Sequence, residues 1–90
     1  MAVYNICYDL NAKGQKYEEL IKHIKSFDGW CHVLDSHWWV RSNTKPATKI
    51  SEEIAEILDK NDRWLVMQTH EDREGSLSKH TWDWLQTHDV

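Results

Sequence analysis

Cysteine, proline and glycine are all scarce in this chain of 90 residues, which contains two, one and three of them. Cys7 and Cys31 do not have CxxC spacing, so we expect reduced thiols that pack as small apolar side chains. No internal repeat, low-complexity run or linker is present, and the length therefore predicts a single domain over residues 1–90.

An excess of positive charge is also lacking, because 11 Lys and Arg stand against 15 Asp and Glu, for a net charge of −4. Proteins dedicated to nucleic acid normally carry a basic stripe, so we do not expect dedicated nucleic-acid binding. No apolar run approaches transmembrane length, and the N-terminus lacks the charged-then-apolar pattern of a signal peptide. We therefore predict a cytoplasmic protein with no membrane partner.

Aromatic residues, in contrast, are abundant, with six Trp and three Tyr. A domain of this size buries only about 60–65% of the surface that its unfolded chain exposes. One small core does not readily absorb so many large rings, and Trp and Tyr are favoured at interfaces. The composition therefore predicts that part of the aromatic surface lies at an interface.

The chain is organised around residues 2–10, in which apolar and polar side chains alternate. Tyr4, Ile6 and Tyr8 point one way, which predicts a strand covered by helices on that face. The other face is polar and ends in the carboxylate of Asp9, just before a loop. A carboxylate at this position either binds a ligand or metal, or fixes the loop by accepting hydrogen bonds from its backbone amides.

The period of the apolar residues then switches repeatedly between helix and strand. It predicts a helix ending at Asp28-Gly29, strands over 30–34 and 37–41, a helix over 46–58, a strand over 63–69 and a terminal helix from Ser78 to Gln86. Asp35-Ser36 indicates a tight turn between the two middle strands, with one bent strand as the alternative. This order predicts an α+β, ferredoxin-like βαββαβ sandwich with a short C-terminal helix. The expected core on the helix side contains Tyr4, Ile6, Tyr8, Ile21, Ile24, Ile54 and Leu58.

A set of residues in the first half of the chain falls at the intervals seen in a known family. They are Tyr8-Asp9-Leu10-Asn11, Gly14-Gln15, Tyr17, Leu20, Ile24-Lys25, Trp30, His32, Leu34-Asp35-Ser36 and Trp38. Here the chain resembles the small bacterial and phage SinR-like proteins, and the second half is similar only in the order of its elements. That family is similar in fold to small CRISPR-associated ferredoxin-like proteins and to VapD ribonucleases. In that group two protomers stack their sheets, and an aspartate from the end of each first strand binds one divalent metal. The resemblance implies a sheet-to-sheet homodimer with Asp9 at the position of that aspartate.

Strand alternation also predicts which side chains gather on the face opposite the two helices. On the assumed parity they are Asn5, Cys7, Asp9, Trp30, His32, His37, Trp39, Trp64 and Gln68. A face this aromatic is not left in water, so we expect either a homodimer interface or a groove in which bases or small aromatic ligands stack. The predicted ligand-binding residues are Asn5, Asp9, His32, His37, Trp39 and Trp64.

Three functions fit these observations. The first is a non-enzymatic dimeric binding module, linked to phage or bacterial defence, that takes a nucleotide-like or protein ligand without a cofactor. The alternative is an RNA or DNA endonuclease in which Asp9 of both protomers holds Mg²⁺ or Mn²⁺. The third is a purely structural or regulatory interaction protein. The acidic balance and the lack of a second catalytic acid favour the first over the second.

His32, Asp35 and His37 lie close in sequence but lack zinc-ligand spacing, so no zinc site is expected.

Overall fold

The computed structural model describes residues 2–11 and 15–88, which contain one four-stranded sheet and helices on both of its faces. The elements are β1 (Ala2–Asp9), α1 (Gln15–Ile24), β2 (Gly29–Leu34), β3 (His37–Ser42), α2 (Ala47–Ile57), β4 (Arg63–Gln68) and α3 (Lys79–His88). The strands lie in the order β2-β3-β1-β4, and each neighbouring pair is antiparallel. The predicted α+β class and order of elements are confirmed. Among these three helices, none is long and apolar enough to cross a membrane.

The first face of the sheet packs against α1 and α2. Leu20 and Ile24 lie one turn apart on α1 and are fully buried, as are Ile50 and Ile54 on α2. The core that they form with the sheet contains Ile6, Tyr8, Leu20, Ile24, Trp38, Val40, Ile50, Ile54 and Leu58, with Tyr4 and Ile21 packed at its edge. The predicted helix-side core is therefore confirmed.

The opposite face, called the second face from here on, is covered in part by α3. The Ser78 hydroxyl accepts a hydrogen bond of 3.2 Å from the backbone N–H of Thr81, which caps the helix as predicted. Leu85 is fully buried in a cluster with Val3, Cys31 and Trp39. Helix α3 therefore covers much of the aromatic surface that the composition predicted to lie at an interface.

The close packing of α3 against the sheet explains why position 29 is a glycine. The sequence pattern had placed this residue just after a helix. Helix α1 ends at Ile24 rather than at Asp28, and Gly29 is the first residue of β2. A Cβ atom on Gly29 would lie 3.3 Å from Cδ2 of His88 and 3.5 Å from Cζ2 of Trp84. The predicted role of Gly29 at the helix terminus is therefore wrong, and its small size instead lets α3 approach the sheet.

The middle hairpin turns at Asp35-Ser36 as predicted, and two strands rather than one bent strand are present. The register between β2 and β3 shifts between His32 and Leu34, which is the signature of a β-bulge. After the shift Leu34 pairs with His37. Directly paired residues point to the same face of a sheet, so Leu34 belongs to the second face.

Candidate functional site

The strand register places three of the predicted site residues together on the second face. Asn5 on β1 pairs with Trp39 on β3, and Cys7 pairs with His37. On its other side Asn5 pairs with Met67 of β4. The prediction that Asn5, His37 and Trp39 share one face is confirmed, because cross-strand partners point to the same side of the sheet.

Two predicted members of this face on β4 lie on the first face instead. Trp64 pairs with Tyr8 and Gln68 pairs with Tyr4, both of which point towards α1 and α2. The indole Nε1 of Trp64 donates a hydrogen bond of 3.0 Å to the hydroxyl of Ser51 on α2. The assumed parity of β4 was wrong by one residue, and such a slip moves every side chain to the other face.

The same correction applies to β2. Trp30 pairs with Val40 and His32 pairs with Trp38, again on the first face. The imidazole of His32 stacks on the indole of Trp38, with ring centroids 4.0 Å apart and an angle of 7° between the planes. His32 and Trp64 therefore lie on the opposite side of the sheet from Asn5, and the structure does not bring them to the predicted site.

Asn5, His37 and Trp39 form a hydrogen-bonded group, called the Asn5 cluster from here on. Oδ1 of Asn5 lies 2.6 Å from Nε2 of His37 and accepts a hydrogen bond of 2.8 Å from Nε1 of Trp39. Its Nδ2 donates to the carbonyl of Met67 at 3.1 Å. An indole N–H only donates and a backbone carbonyl only accepts, so the orientation of the Asn5 amide is fixed from both ends.

The fixed amide in turn determines the tautomer of His37. Because Oδ1 of Asn5 is an acceptor, Nε2 of His37 must carry the proton. Burial lowers the pKa of His37 below its ordinary value of 6.5, so the ring is neutral at pH 7. Nδ1 is then the acceptor of this imidazole.

Two adjoining clefts open above the Asn5 cluster, under the segment 69–78 that connects β4 to α3 and is called the connection from here on. One cleft has a volume of about 290 Å³ and the other of about 260 Å³. Asn5 and Trp39 form part of the floor of both, and Arg73 of the connection also lines both. They therefore make one elongated site with a shared centre.

The walls of the two clefts differ in chemistry. The larger cleft is lined mainly by apolar side chains, which include Val33, Leu34, Leu77 and Trp82, together with His37. The rings of Trp39 and Trp82 lie 6.3 Å apart at an angle of 48°. The smaller cleft has more polar residues in its lining, among them Thr69, His70 and Asp72, although its exposed surface is also mainly apolar. An apolar cleft with a few fixed polar groups is typical of sites for small organic ligands.

The connection holds its shape by local hydrogen bonds. The N–H of Asp72 donates to Nδ1 of His70 at 3.1 Å, and the N–H of Arg73 donates to the carbonyl of Glu71 at 3.0 Å. Asp72 and Glu74 of the connection line the clefts together with Arg73. The charged groups of the lining are therefore two carboxylates and one guanidinium.

Asp9 lies apart from the Asn5 cluster, at the exposed carboxyl end of β1, where it pairs with Arg63 of β4. Within residues 2–11 and 15–88, no three side chains of His, Cys, Asp or Glu come together as a group that could hold a metal ion. A metal at Asp9 would therefore draw ligands from a second copy of the chain, and this site stays a prediction.

A different carboxylate, that of Asp62, fixes the loop after β1. Its Oδ1 accepts the N–H of Asn11 at 2.8 Å, and its Oδ2 accepts the N–H of Asp59 at 2.8 Å. The hydrogen bonds from Asp59 and Asn11 lower the pKa of Asp62 below its ordinary value. The sequence analysis gave this role to Asp9 as one of two alternatives, and the part of it that concerns residues 12–14 lies outside the described residues.

The two cysteines are free thiols, as predicted. Cys31 is buried under α3, and Cys7 is half-buried beside His37 in the pairing of β1 with β3. Burial raises the pKa of both thiols, so both stay protonated and unreactive near neutral pH.

No protein-family model, no curated protein and no solved structure matches this chain. Function is therefore inferred from the geometry of the clefts and from the chemistry of their lining residues.

Proposed function

We propose that this chain is a non-enzymatic, dimeric binding module of ferredoxin-like fold, which takes a small planar ligand of nucleotide-like character in the clefts above the Asn5 cluster. The strand order β2-β3-β1-β4, with helices between β1 and β2 and between β3 and β4, supports the ferredoxin-like assignment. The proposal includes a cytoplasmic role in phage or bacterial defence, on the resemblance of residues 8–38 to SinR-like proteins.

The observation that carries this proposal is the Asn5 cluster at the floor of an aromatic cleft. Sites for small ligands usually measure about 300–1,000 Å³, are mostly apolar and contain a few polar groups that fix orientation. The two adjoining clefts, of about 290 and 260 Å³, reach this range together. The half-buried ring of Trp82 lines the larger cleft and offers a surface on which a planar ligand can stack.

The dimer part of the proposal rests on three exposed apolar side chains of the second face. Leu34, Leu65 and Met67 are each exposed to 55% or 56%. Helix α3 packs on β1 and β2, whereas Leu65 and Met67 lie on β4 at the edge of the sheet. Leu65 and Met67 are neighbours on the same strand and face, and exposed apolar side chains that adjoin one another mark interaction surfaces. A second copy of the chain presents the same apolar surface in return.

A second candidate function, an endonuclease that depends on Mg²⁺ or Mn²⁺, is favoured by one observation. The carboxylate of Asp9 is exposed at the end of β1 and is therefore accessible to a metal shared with a second copy. In this case Asp9→Asn would preserve the fold and abolish metal-dependent cleavage of RNA or DNA. We expect instead that neither protein cleaves, because the acidic balance repels a polyanion. Cleavage by the wild type that disappears with EDTA and in Asp9→Asn would establish the endonuclease.

Calorimetric titration with a panel of nucleosides tests the binding proposal. Ser76 is exposed at the rim of the larger cleft, so Ser76→Trp should fill that cleft and abolish binding without unfolding the chain. Glu19→Trp is the matched control, since Glu19 is exposed on α1 at the other face of the sheet. Saturable binding by the wild type and by Glu19→Trp, and its loss in Ser76→Trp, is the expected result. Failure of every nucleoside to bind the wild type would overturn the proposal.

A further inference from the structure

We propose that the clefts select a neutral heterocycle that donates an N–H hydrogen bond to Nδ1 of His37. The ligand class is then a nucleobase or an unphosphorylated nucleoside rather than a nucleotide. This inference rests on the proposed function and narrows its ligand.

The first step is the direction of the hydrogen bonds in the Asn5 cluster. The indole of Trp39 donates to Oδ1 of Asn5, and the Asn5 amide nitrogen donates to the carbonyl of Met67. His37 can therefore approach Oδ1, at 2.6 Å, only as a donor through Nε2. In the neutral ring the remaining nitrogen, Nδ1, carries the lone pair, and since His37 lines the larger cleft this acceptor complements an N–H group of a ligand.

The second step is the charge around the ligand. The charged side chains that line the larger cleft with His37 are Arg73 and Glu74, both from the connection. Asp72 lines the smaller cleft together with Arg73. Two carboxylates beside one guanidinium disfavour a phosphate, which carries up to two negative charges itself. A neutral ring avoids this repulsion and still buries an apolar face against Trp82.

The third step is the effect of pH on His37. The groups that face this residue from the surrounding elements are the Cys7 thiol on β1, Arg73 and Glu74 on the connection, and Trp82 on α3, with Asp35 in the adjoining turn. Protonation of His37 turns Nδ1 from an acceptor into a donor, which opposes the N–H of the ligand. Burial keeps the ring neutral at pH 7, so affinity is expected to be constant there and to fall in acid, below about pH 6.5.

The test compares nucleosides with their N-methylated counterparts by calorimetry. The pairs are uridine with 3-methyluridine, guanosine with 1-methylguanosine, and adenosine with N6,N6-dimethyladenosine, and each parent is also compared with its 5′-monophosphate. The best-bound parent should bind about tenfold or more tightly than its methylated counterpart, because methylation leaves the acceptor unpaired. It should also bind more tightly than its monophosphate.

Two variants separate this inference from a general change in the site. In His37→Asn the amide oxygen stands near the position of Nδ1, so discrimination against the methylated ligand should persist while the pH dependence disappears. In His37→Leu the discrimination itself should disappear. Equal binding of the parent, methylated and phosphorylated ligands by the wild type, at every pH, would overturn this inference and leave the binding function intact. If none of the nucleosides bound, both would fall.

Discussion

Two polar side chains, those of Asn5 and Asp62, hold β1 and the loop after it to neighbouring segments, and each makes more than one hydrogen bond. Asn5 joins β1 to β3 and β4 through His37, Trp39 and the carbonyl of Met67. Asp62 joins the loop after β1 to the turn before β4. A polar group that satisfies several partners is costly to remove, because each partner is then left without its hydrogen bond.

The first residue-scale prediction concerns Asp62 and uses Asp9 as its control. Asp62→Asn removes one of two acceptor oxygens, so the urea midpoint of unfolding should fall, whereas Asp9→Asn, at an exposed site, should leave it nearly unchanged. The pKa of Asp62 is lowered in the folded state from 3.8, so its stabilisation is present above about pH 4 and is lost as the pH falls below that value. Equal midpoints for the two variants would contradict the loop-anchoring role.

The second residue-scale prediction concerns His37 and pH. Its folded pKa lies below the ordinary value of 6.5, so the unfolded chain binds a proton first as the pH falls. The stabilisation from neutral His37 is fully present above pH 6.5 and is lost progressively below it. Urea unfolding between pH 5 and 7.5 should show this loss in the wild type and in His80→Asn, a control on the exposed surface of α3. His37→Asn should flatten the pH dependence, and an unchanged slope would show that another group is responsible.

At the scale of helices and strands, α3 is the element that gives the second face its cover. Thr81 and Leu85 are buried one turn apart, and the ring of Trp84 stacks over Trp39 with centroids 6.3 Å apart and an angle of 17°. The approach is close because Gly29 has no side chain at the contact. Helix α3 and the connection before it also supply the walls of the clefts, so the site depends on the docking of this helix.

The element-scale prediction compares two glycines. Gly29→Val would place carbon atoms against His88 and Trp84, which should loosen α3, lower the unfolding midpoint and shift tryptophan fluorescence to longer wavelength as Trp39 meets water. Gly75→Val is the control, because a Cβ atom there would have nothing within 4 Å. Similar fluorescence and midpoints for both variants would mean that α3 does not depend on this close contact.

The local patterns of the sequence predicted the elements well, since each depends on neighbouring residues. Alternation in β1, the turn at Asp35-Ser36 and the cap at Ser78 were all confirmed. The faces of β2 and β4 were not, because a register is set by pairing between distant strands and by the bulge before Leu34.

The candidate site was predicted only in part for the same reason. Asn5, His37 and Trp39 come from two strands whose alternation is readable, and the structure brings them together. Arg73 and Trp82 were missed, because nothing in the local pattern shows that the connection folds back over the sheet. The one available signal was a stripe along the terminal helix, formed by Leu77, Thr81, Trp84 and Leu85, which had to pack on the face left open by α1 and α2.

At the scale of the whole molecule, the sheet separates two cores, and the second is incomplete. The first face is closed by α1 and α2, whereas α3 leaves Leu65 and Met67 of β4 exposed. A small domain with an open apolar surface gains stability when a second copy covers it. The clefts lie on the same face, and Leu34 and Met67 belong both to this apolar surface and to the lining of the clefts, so a second copy would cover part of that lining.

The prediction at this scale is that light scattering gives the mass of a dimer at micromolar concentration. Leu65→Lys should shift the mass to that of a monomer of 10.8 kDa without unfolding the chain, because a charge on this surface opposes its burial. Glu52→Lys, on the exposed surface of α2, is the charge control and should stay dimeric. A wild-type protein that is monomeric throughout this range would contradict the dimer.

The most direct test of the central claim is a two-dimensional ¹⁵N–¹H NMR titration with the nucleoside that binds best in the calorimetric panel. The six tryptophans give six indole N–H signals, of which those of Trp39 and Trp82 report on the clefts and that of Trp30 on the opposite face. The proposed function predicts saturable shifts of the Trp39 and Trp82 indole signals and of the Asn5 side-chain amide, with the Trp30 signal unmoved. Shifts centred on Trp30, with the Trp39 and Asn5 signals unmoved, would contradict a binding site above the Asn5 cluster.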